Sequence, residues 1–252
     1  MESVKYIFAE PEVVDGISIY PIHMRHYDEF MNVANILTIS YDNFDVESIK
    51  KALNGGTLPL FDLIMLNYEQ QKQLHVVIEL FKKIFTFVCK QKIEYDEKLN
   101  IFLLEGTDLA IDRDNYDEIR EIILRQNLIF TPPVYKNKLV QEWAELALQA
   151  RAQSSLKITI EDMITTIVAC NGMDINVLAD YTIYQIKSIF QRVLKLKNYD
   201  ATVLFKTVDG KINIDHFAEE IDMFKSPFSD IFKSESHHSH IKDSITGRLG
   251  KP

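Results

Sequence analysis

The side chains with the chemistry to act on a substrate or hold a metal are few, and each has a plainer role available. His23 and His26 form an HxxH pair beside Asp28 and Glu29. A three-residue spacing can serve metal ligation on a helix. Here it spans a strand-to-helix junction, so the pair reads as surface or part-buried polar residues. The tract Ser236-His237-His238-Ser239-His240 can capture transition metals, as any His-rich stretch can. It lacks the fixed geometry and supporting hydrogen bonds of a specific site. The acidic run Asp112-Arg113-Asp114-Asn115-Tyr116-Asp117-Glu118 invites a calcium-loop reading. It has no glycine at the sixth loop position and runs straight into an apolar helix. Asn54-Gly55-Gly56-Thr57 lacks the Lys-Ser/Thr of a phosphate-binding loop. Cys89 and Cys170 sit inside apolar helical patterns, where a cysteine packs as a small hydrophobe, and both are expected as buried free thiols. Trp143, the single tryptophan, is expected in a core or between packed domains. No GxSxG and no HExxH occurs. The reading assigns no catalytic, cofactor-binding or metal-binding residue; it expects no cofactor and no enzyme.

The elements that would position these residues are mainly α, in an α+β arrangement. Asp15-Gly16 separates two apolar-rich arms over Glu12–Tyr20 and supplies the positive φ angles of a type I′ hairpin. After Pro21 the apolar period lengthens to that of a helix, with Phe30, Val33, Ala34 and Leu37 on one stripe. Helices are expected over Pro59–Asn67 and, as the longest, over Glu69–Lys90, where Leu74, Val77, Ile78, Phe81, Ile84, Phe85 and Val88 share a face. A small hairpin follows from Ile93–Tyr95 and Ile101–Leu104. Asp112 or Asp114 can cap the next helix, which buries Tyr116, Ile119, Ile122 and Ile123. Thr131-Pro132-Pro133 halts regular structure and marks an internal boundary. Beyond it, helices are expected over Lys138–Arg151, from a Thr159–Asp162 capping box to Asn171-Gly172, over Tyr181–Lys197, near Ala201–Phe205 and over Asp215–Phe224. The expected domains are 1–130 (α+β), 134–233 (helical) and a disordered tail, 234–252.

The formal net charge is -9, which argues against a general nucleic-acid or anionic-membrane binder. Residues 1–135 carry 13 basic and 22 acidic side chains, and the remainder carries 15 of each. No apolar run approaches the roughly 18 residues of a membrane span, and Met1–Lys5 lacks the layout of a signal peptide. A soluble cytoplasmic protein is expected. In a chain without evident chemistry, the amphipathic stripes Leu74–Val88 and Ile183–Leu196 point to a groove between helices that takes an apolar or amphipathic helix of a partner.

Four segments carry a resemblance. They are Ile19-Tyr20-Pro21-Ile22 with Tyr27-Asp28-Glu29-Phe30; Ile119–Leu128 with Arg125-Gln126-Asn127; Asp180-Tyr181-Thr182-Ile183-Tyr184-Gln185-Ile186 with Phe190-Gln191-Arg192; and His216-Phe217-Ala218-Glu219-Glu220-Ile221. In that order, over residues 13–232, they resemble tail assembly chaperones or minor structural proteins of tailed bacteriophages of Gram-positive hosts. The resemblance implies a non-enzymatic protein, without cofactor, that binds the tape measure protein, keeps its helical segments soluble and helps recruit tail tube subunits. Such proteins often occur as short and long forms from a programmed frameshift. The expected place is the host cytoplasm; the alternative is a virion subunit of tail, baseplate or neck. The expected partners are the tape measure or another tail protein, together with a homo-oligomer, and neither nucleic acid nor membrane.

The tail from Ser234 offers little apolar area to offset the entropy of ordering it. Truncation after Lys233 should leave the melting temperature nearly unchanged in a thermal scan, whereas a large drop would mean that the tail packs or mediates assembly.

Overall fold

The computed structural model describes residues 3–45, 56–135, 137–154, 157–211 and 213–228. The expected tail, its histidines, and Asn54-Gly55 lie outside them. The described chain is mainly helical with two small antiparallel sheets, as the periodicity predicts.

A short helix α1 (Ser3–Ile7) precedes the hairpin β1 (Glu12–Val14) and β2 (Ile17–Ile19). Val14 pairs with Ile17 across Asp15 and Gly16, whose φ angles of 49° and 83° are those of the expected tight turn. Helix α2 (Tyr27–Ala34) continues into a 3-10 turn over Asn35–Thr38, which keeps Leu37 on the buried side. Helix α3 (Leu60–Gln70) is separated from α4 (Leu74–Cys89) by a stop not anticipated within Glu69–Lys90. Lys72 takes a left-handed conformation (φ 58°), and the Gln73 N–H bonds back to the Tyr68 carbonyl. This is the hydrogen-bonded ending that a glycine usually supplies.

Strands β3 (Ile93–Asp96) and β4 (Ile101–Leu104) form the expected second hairpin, and β5 (Ala110–Ile111) adds a third strand to β4. Helix α5 (Tyr116–Gln126) follows. Its N-cap is Asn115, without a side-chain cap bond. Asp112 acts earlier, its carboxylate accepting from the Asp114 and Asn115 N–H groups. These elements enclose a core whose centre is aromatic. Phe81 stacks on Phe85 at 5.6 Å and meets Phe102 at 5.8 Å and Tyr116 at 5.5 Å; Phe61 lies 6.1 Å from Phe102. All five rings are fully buried.

Helices α7 (Ile160–Asn171), α8 (Ile175–Leu178) and α9 (Ile183–Lys206) build a second core from Ile167, Leu178, Ile186 and Phe190. The expected Thr159–Asp162 capping box is present, and Gly172 ends α7 at φ 65°. Thr182 and Gln185 form another capping box at the start of α9. At 24 residues α9 is the longest described helix, longer than α4. The break expected between Lys197 and Ala201 does not occur, since Lys197-Asn198-Tyr199-Asp200 contains neither glycine nor proline. No helix forms over Asp215–Phe224. The Phe217, Glu219 and Glu220 carbonyls there accept from the Arg192 and Lys195 side chains on α9.

The chain clusters into two compact units, 1–131 with 158–224 and 132–157 with 225–252. The first break coincides with Thr131-Pro132-Pro133. Within the first unit α7–α9 are tied to the N-terminal elements. Met24 N–H donates to the Tyr181 carbonyl at 2.8 Å, and Arg25 N–H to the Ala179 carbonyl at 3.0 Å. The second unit contains α6 (Lys138–Ser154), on which Leu139, Trp143 and Leu146 are exposed, so Trp143 does not lie in a core of its own unit, one of the two places expected for it.

Phe81→Ala removes the ring shared by four aromatic contacts. It should cost about 3–5 kcal/mol of unfolding free energy, read from a shifted urea midpoint at unchanged m-value.

Candidate partner-binding face

The motif residues that suggested a resemblance turn out to be joints. Gln126 Nε2 donates to the Ile19 carbonyl at 3.0 Å, and Asn127 Oδ1 accepts from the Ile22 N–H at 3.0 Å, tying α5 to the hairpin exit inside the protein. Asp180 accepts from Arg25 Nε at 2.9 Å, and its carbonyl is bonded to His23 Nδ1. His23 also pairs through its backbone with Thr182. Gln185 Nε2 reaches the Ile7 carbonyl at 2.7 Å. The HxxH pair is divided between two roles: His23 serves this joint, while the His26 ring lies 6.2 Å from Phe87.

The remaining residues with chemical potential are similarly engaged. Asn115 and Asp112 bond to each other's backbone region in the acidic run, and Asn115 Nδ2 donates to the Ala110 carbonyl. Cys89 is buried as expected, and desolvation pushes its thiol up to about 12, far from a thiolate at neutral pH. Cys170, expected buried, is exposed, one residue before the end of α7. Among the described residues no three His, Cys, Asp or Glu side chains converge as a metal site would require. Among the same residues, no helix is long and apolar enough to cross a membrane.

A cleft of about 790 Å³ lies between α2, α4 and β3, with Val33, Phe87, Ile93 and Tyr95 at its floor. Its charged rim is largely matched internally. Lys82 bonds Glu79 at 2.8 Å, Lys92 bonds Glu105 at 2.9 Å and Glu94 at 3.1 Å, and Tyr95 donates to Asn100 at 2.7 Å. A rim already satisfied makes little demand for a ligand.

The more telling feature is α9. A helix rises about 1.5 Å per residue, so α9 spans roughly 36 Å while α7 covers only about half that length. Ile183, Ile186, Phe190 and Val193 on one stripe are buried. The same stripe runs on at helical spacing through Lys197, Ala201 and Leu204, flanked by Leu194 and Phe205, and Val208 follows just past the end of the helix. Leu204 is 69% exposed, Phe205 64% and Val208 88%. On α4 the stripe belongs to the core, as a domain of this size requires of most of it: Val77, Phe81, Ile84, Phe85 and Val88 are all buried. The surplus apolar surface lies one helix half beyond the Ile183–Leu196 stripe. Its sequence signal is the continuation of the apolar period past the length that a 12-residue neighbour can cover.

The opposite side of α9 is held by the strap formed by residues 213–224. Arg192 Nη1 donates to the Phe217 and Glu219 carbonyls at 2.6 and 3.0 Å, Lys195 bonds the Glu219 carboxylate at 2.7 Å, and the Tyr199 ring packs 5.3 Å from Phe217. Phe224 closes on Tyr6 and Tyr184. Arg192, Lys195 and Tyr199 recur at i, i+3, i+7, so the strap takes one face and leaves the apolar stripe open on the other.

A family model described as the second domain of YomV matches residues 150–222, which contain α7–α9 and nearly all of the strap. Over 225 residues, 89% of this chain and 84% of the other, the protein is 22% identical to the SPbeta prophage-derived uncharacterized protein YomV of Bacillus subtilis (strain 168). No solved structure matches.

The Lys195 ammonium, through its hydrogen bond and charge, holds the Glu219 carboxyl below the usual glutamate range. A depressed folded-state value means the contact contributes above the unfolded pKa and is lost as pH falls through the lowered one. Carbon-detected NMR should place Glu219 below its ordinary value of 4.5, and Lys195→Ala should return it towards that value. Arg192→Ala should speed amide exchange over residues 217–221 with little change in global stability.

Proposed function

We propose that this chain is a non-enzymatic assembly protein of a phage of a Gram-positive host, acting in the host cytoplasm as a tail assembly chaperone that binds an amphipathic helix of the tape measure protein. The observation that carries the reading is the open distal stripe of α9. A helix presenting Leu194, Ala201, Leu204 and Phe205 beside a covered opposite face offers the kind of seam that another amphipathic helix fills. Phe205 and Leu204 would supply most of the contact area, and Lys197 a point of selection for an acidic residue on the client. The similarity to a prophage-derived protein of Bacillus subtilis supports a phage origin. The chain's acidic balance would keep neighbouring copies along a coated client from sticking to one another.

Co-expression with the tape measure protein of the same genome is the test. The client should become soluble and co-purify, and purified virions should lack this protein. Leu204→Glu and Phe205→Glu should each lower capture about tenfold or more, since burying one such side chain contributes about 1.5–3 kcal/mol. Both positions are exposed, so circular dichroism should be unchanged. An insoluble client together with a fixed copy number in mature particles would replace this reading with a structural subunit of tail, baseplate or neck.

A further inference from the structure

We propose that the cleft between α2, α4 and β3 receives an extended segment of a partner protein, added antiparallel along the free edge of β3, with an apolar–basic–apolar sequence over the residues it pairs. The inference rests on the cleft alone and does not depend on the α9 stripe. Strand β3 lies at the end of its sheet, in the order β3–β4–β5. The Glu105 N–H donates to the Lys92 carbonyl at 3.0 Å, and Ile93 and Tyr95 lie opposite Leu104 and Phe102. In an antiparallel ladder alternate residues turn their N–H and C=O groups to the partner strand. Lys92, Glu94 and Asp96 therefore face β4, while Ile93 and Tyr95 direct theirs away from it. Leu104 fits this phase, since its N–H donates the other way, to the Leu109 carbonyl at 3.0 Å. Among the described residues nothing bonds to the outward main-chain groups of Ile93 and Tyr95.

The cleft meets this edge directly. The four consecutive residues Lys92, Ile93, Glu94 and Tyr95 line it, and no residue of β4 does. A cavity over one face of the sheet would touch every second residue of the strand. The side chains around the cleft are largely matched among themselves, but the main chain of β3 is not. Ile93 is buried, so water does little for its N–H and C=O, and a buried main-chain group without a partner is costly. A second extended chain supplies donors and acceptors at the spacing the edge requires. A helix does not, because its own N–H and C=O groups are bonded internally. A second copy of β3 would bring its own α2 and α4 walls with it and could not enter.

The surroundings specify the sequence of the segment. Ile93 and Tyr95 share a face with Phe102 and Leu104, the buried residues of β4. Residues of the segment opposite Ile93 and Tyr95 point to that same side, over Val33 and Phe87, and are therefore apolar. The residue opposite Glu94 points to the exposed side. There Lys92 bonds two carboxylates, Glu105 at 2.9 Å and Glu94 at 3.1 Å. One cation shared by two anions leaves a negative charge in surplus, and Glu94 is the anion that lines the cleft. A basic residue suits the position opposite it, a pairing without mutual hydrogen bonds in which the side chains come closest.

The test is an NMR titration of the full chain, without client, with the peptide acetyl-Thr-Val-Lys-Val-Thr-amide. The amide signals of Ile93 and Tyr95 should shift and saturate. N-methylation of both valines, whose N–H groups face β3 in this register, should weaken binding about tenfold or more. N-methylation of the lysine, whose N–H points away from β3, should change it little. Glu94→Lys should weaken binding about threefold, and exchanging the peptide's lysine for glutamate should restore it. Glu94 is exposed, so circular dichroism of this variant should be unchanged. The absence of saturable shifts at Ile93 and Tyr95, or equal weakening by the two kinds of N-methylation, would overturn strand addition. Binding only after truncation at Lys233 would overturn the external occupant and give the edge to this chain's own tail.

Discussion

The packing of Phe81 against Phe85, Phe102, Tyr116 and Phe61 is the contact on which the rest of the molecule depends. These rings come from α3, α4, β4 and α5, so one aromatic cluster fixes the mutual placement of four elements separated widely in sequence. Each ring buries a large apolar area, and the offset and edge-on geometries add to what area alone gives. The cluster also explains why α4 has no face to offer a partner. A 16-residue helix that supplies two rings and three aliphatic side chains to the centre of the core has spent its apolar stripe there.

Onto this body α9 is attached by polar joints. Backbone bonds from Met24 and Arg25 to Tyr181 and Ala179, the Arg25–Asp180 pair and the Gln185–Ile7 bond all lie at the beginning of the helix. Directional bonds at one end of a long helix fix its orientation and leave the far end to whatever else can pack on it. The aromatic group of Tyr6, Tyr184 and Phe224 secures the same end from the other side.

Beyond that end the strap holds one face of the helix, at Arg192, Lys195 and Tyr199. That asymmetry links the fold to the proposed role. In the proposed role, an apolar stripe that continues beyond its own core takes an external helix, while the strap occupies the opposite face. The Lys195–Glu219 contact is exposed and screened by solvent, so it positions the strap more than it stabilises the protein.

Much of the local structure follows from residue pattern alone. The Asp15-Gly16 turn, the Thr159–Asp162 capping box, the Gly172 stop and the stripes of α4 and α9 are short-range effects of side-chain chemistry and period, and they appear where the residues place them. Other features depended on distant partners. Lys72 ends α3 in a left-handed turn that no glycine announces. Residues 215–224 have a helical composition, but Arg192 and Lys195 take the carbonyls that a helix there would use. Cys170 lies in an apolar pattern, yet it is exposed among the described residues. The sequence by itself determined which residues of α4 and α9 share a face, because helical period is a local property. Only the tertiary structure decided which of those faces is core and which is open, because burial depends on the length and position of the neighbour. The α4 stripe meets the aromatic cluster along its whole length, whereas α9 outruns the 12-residue helix that packs on it.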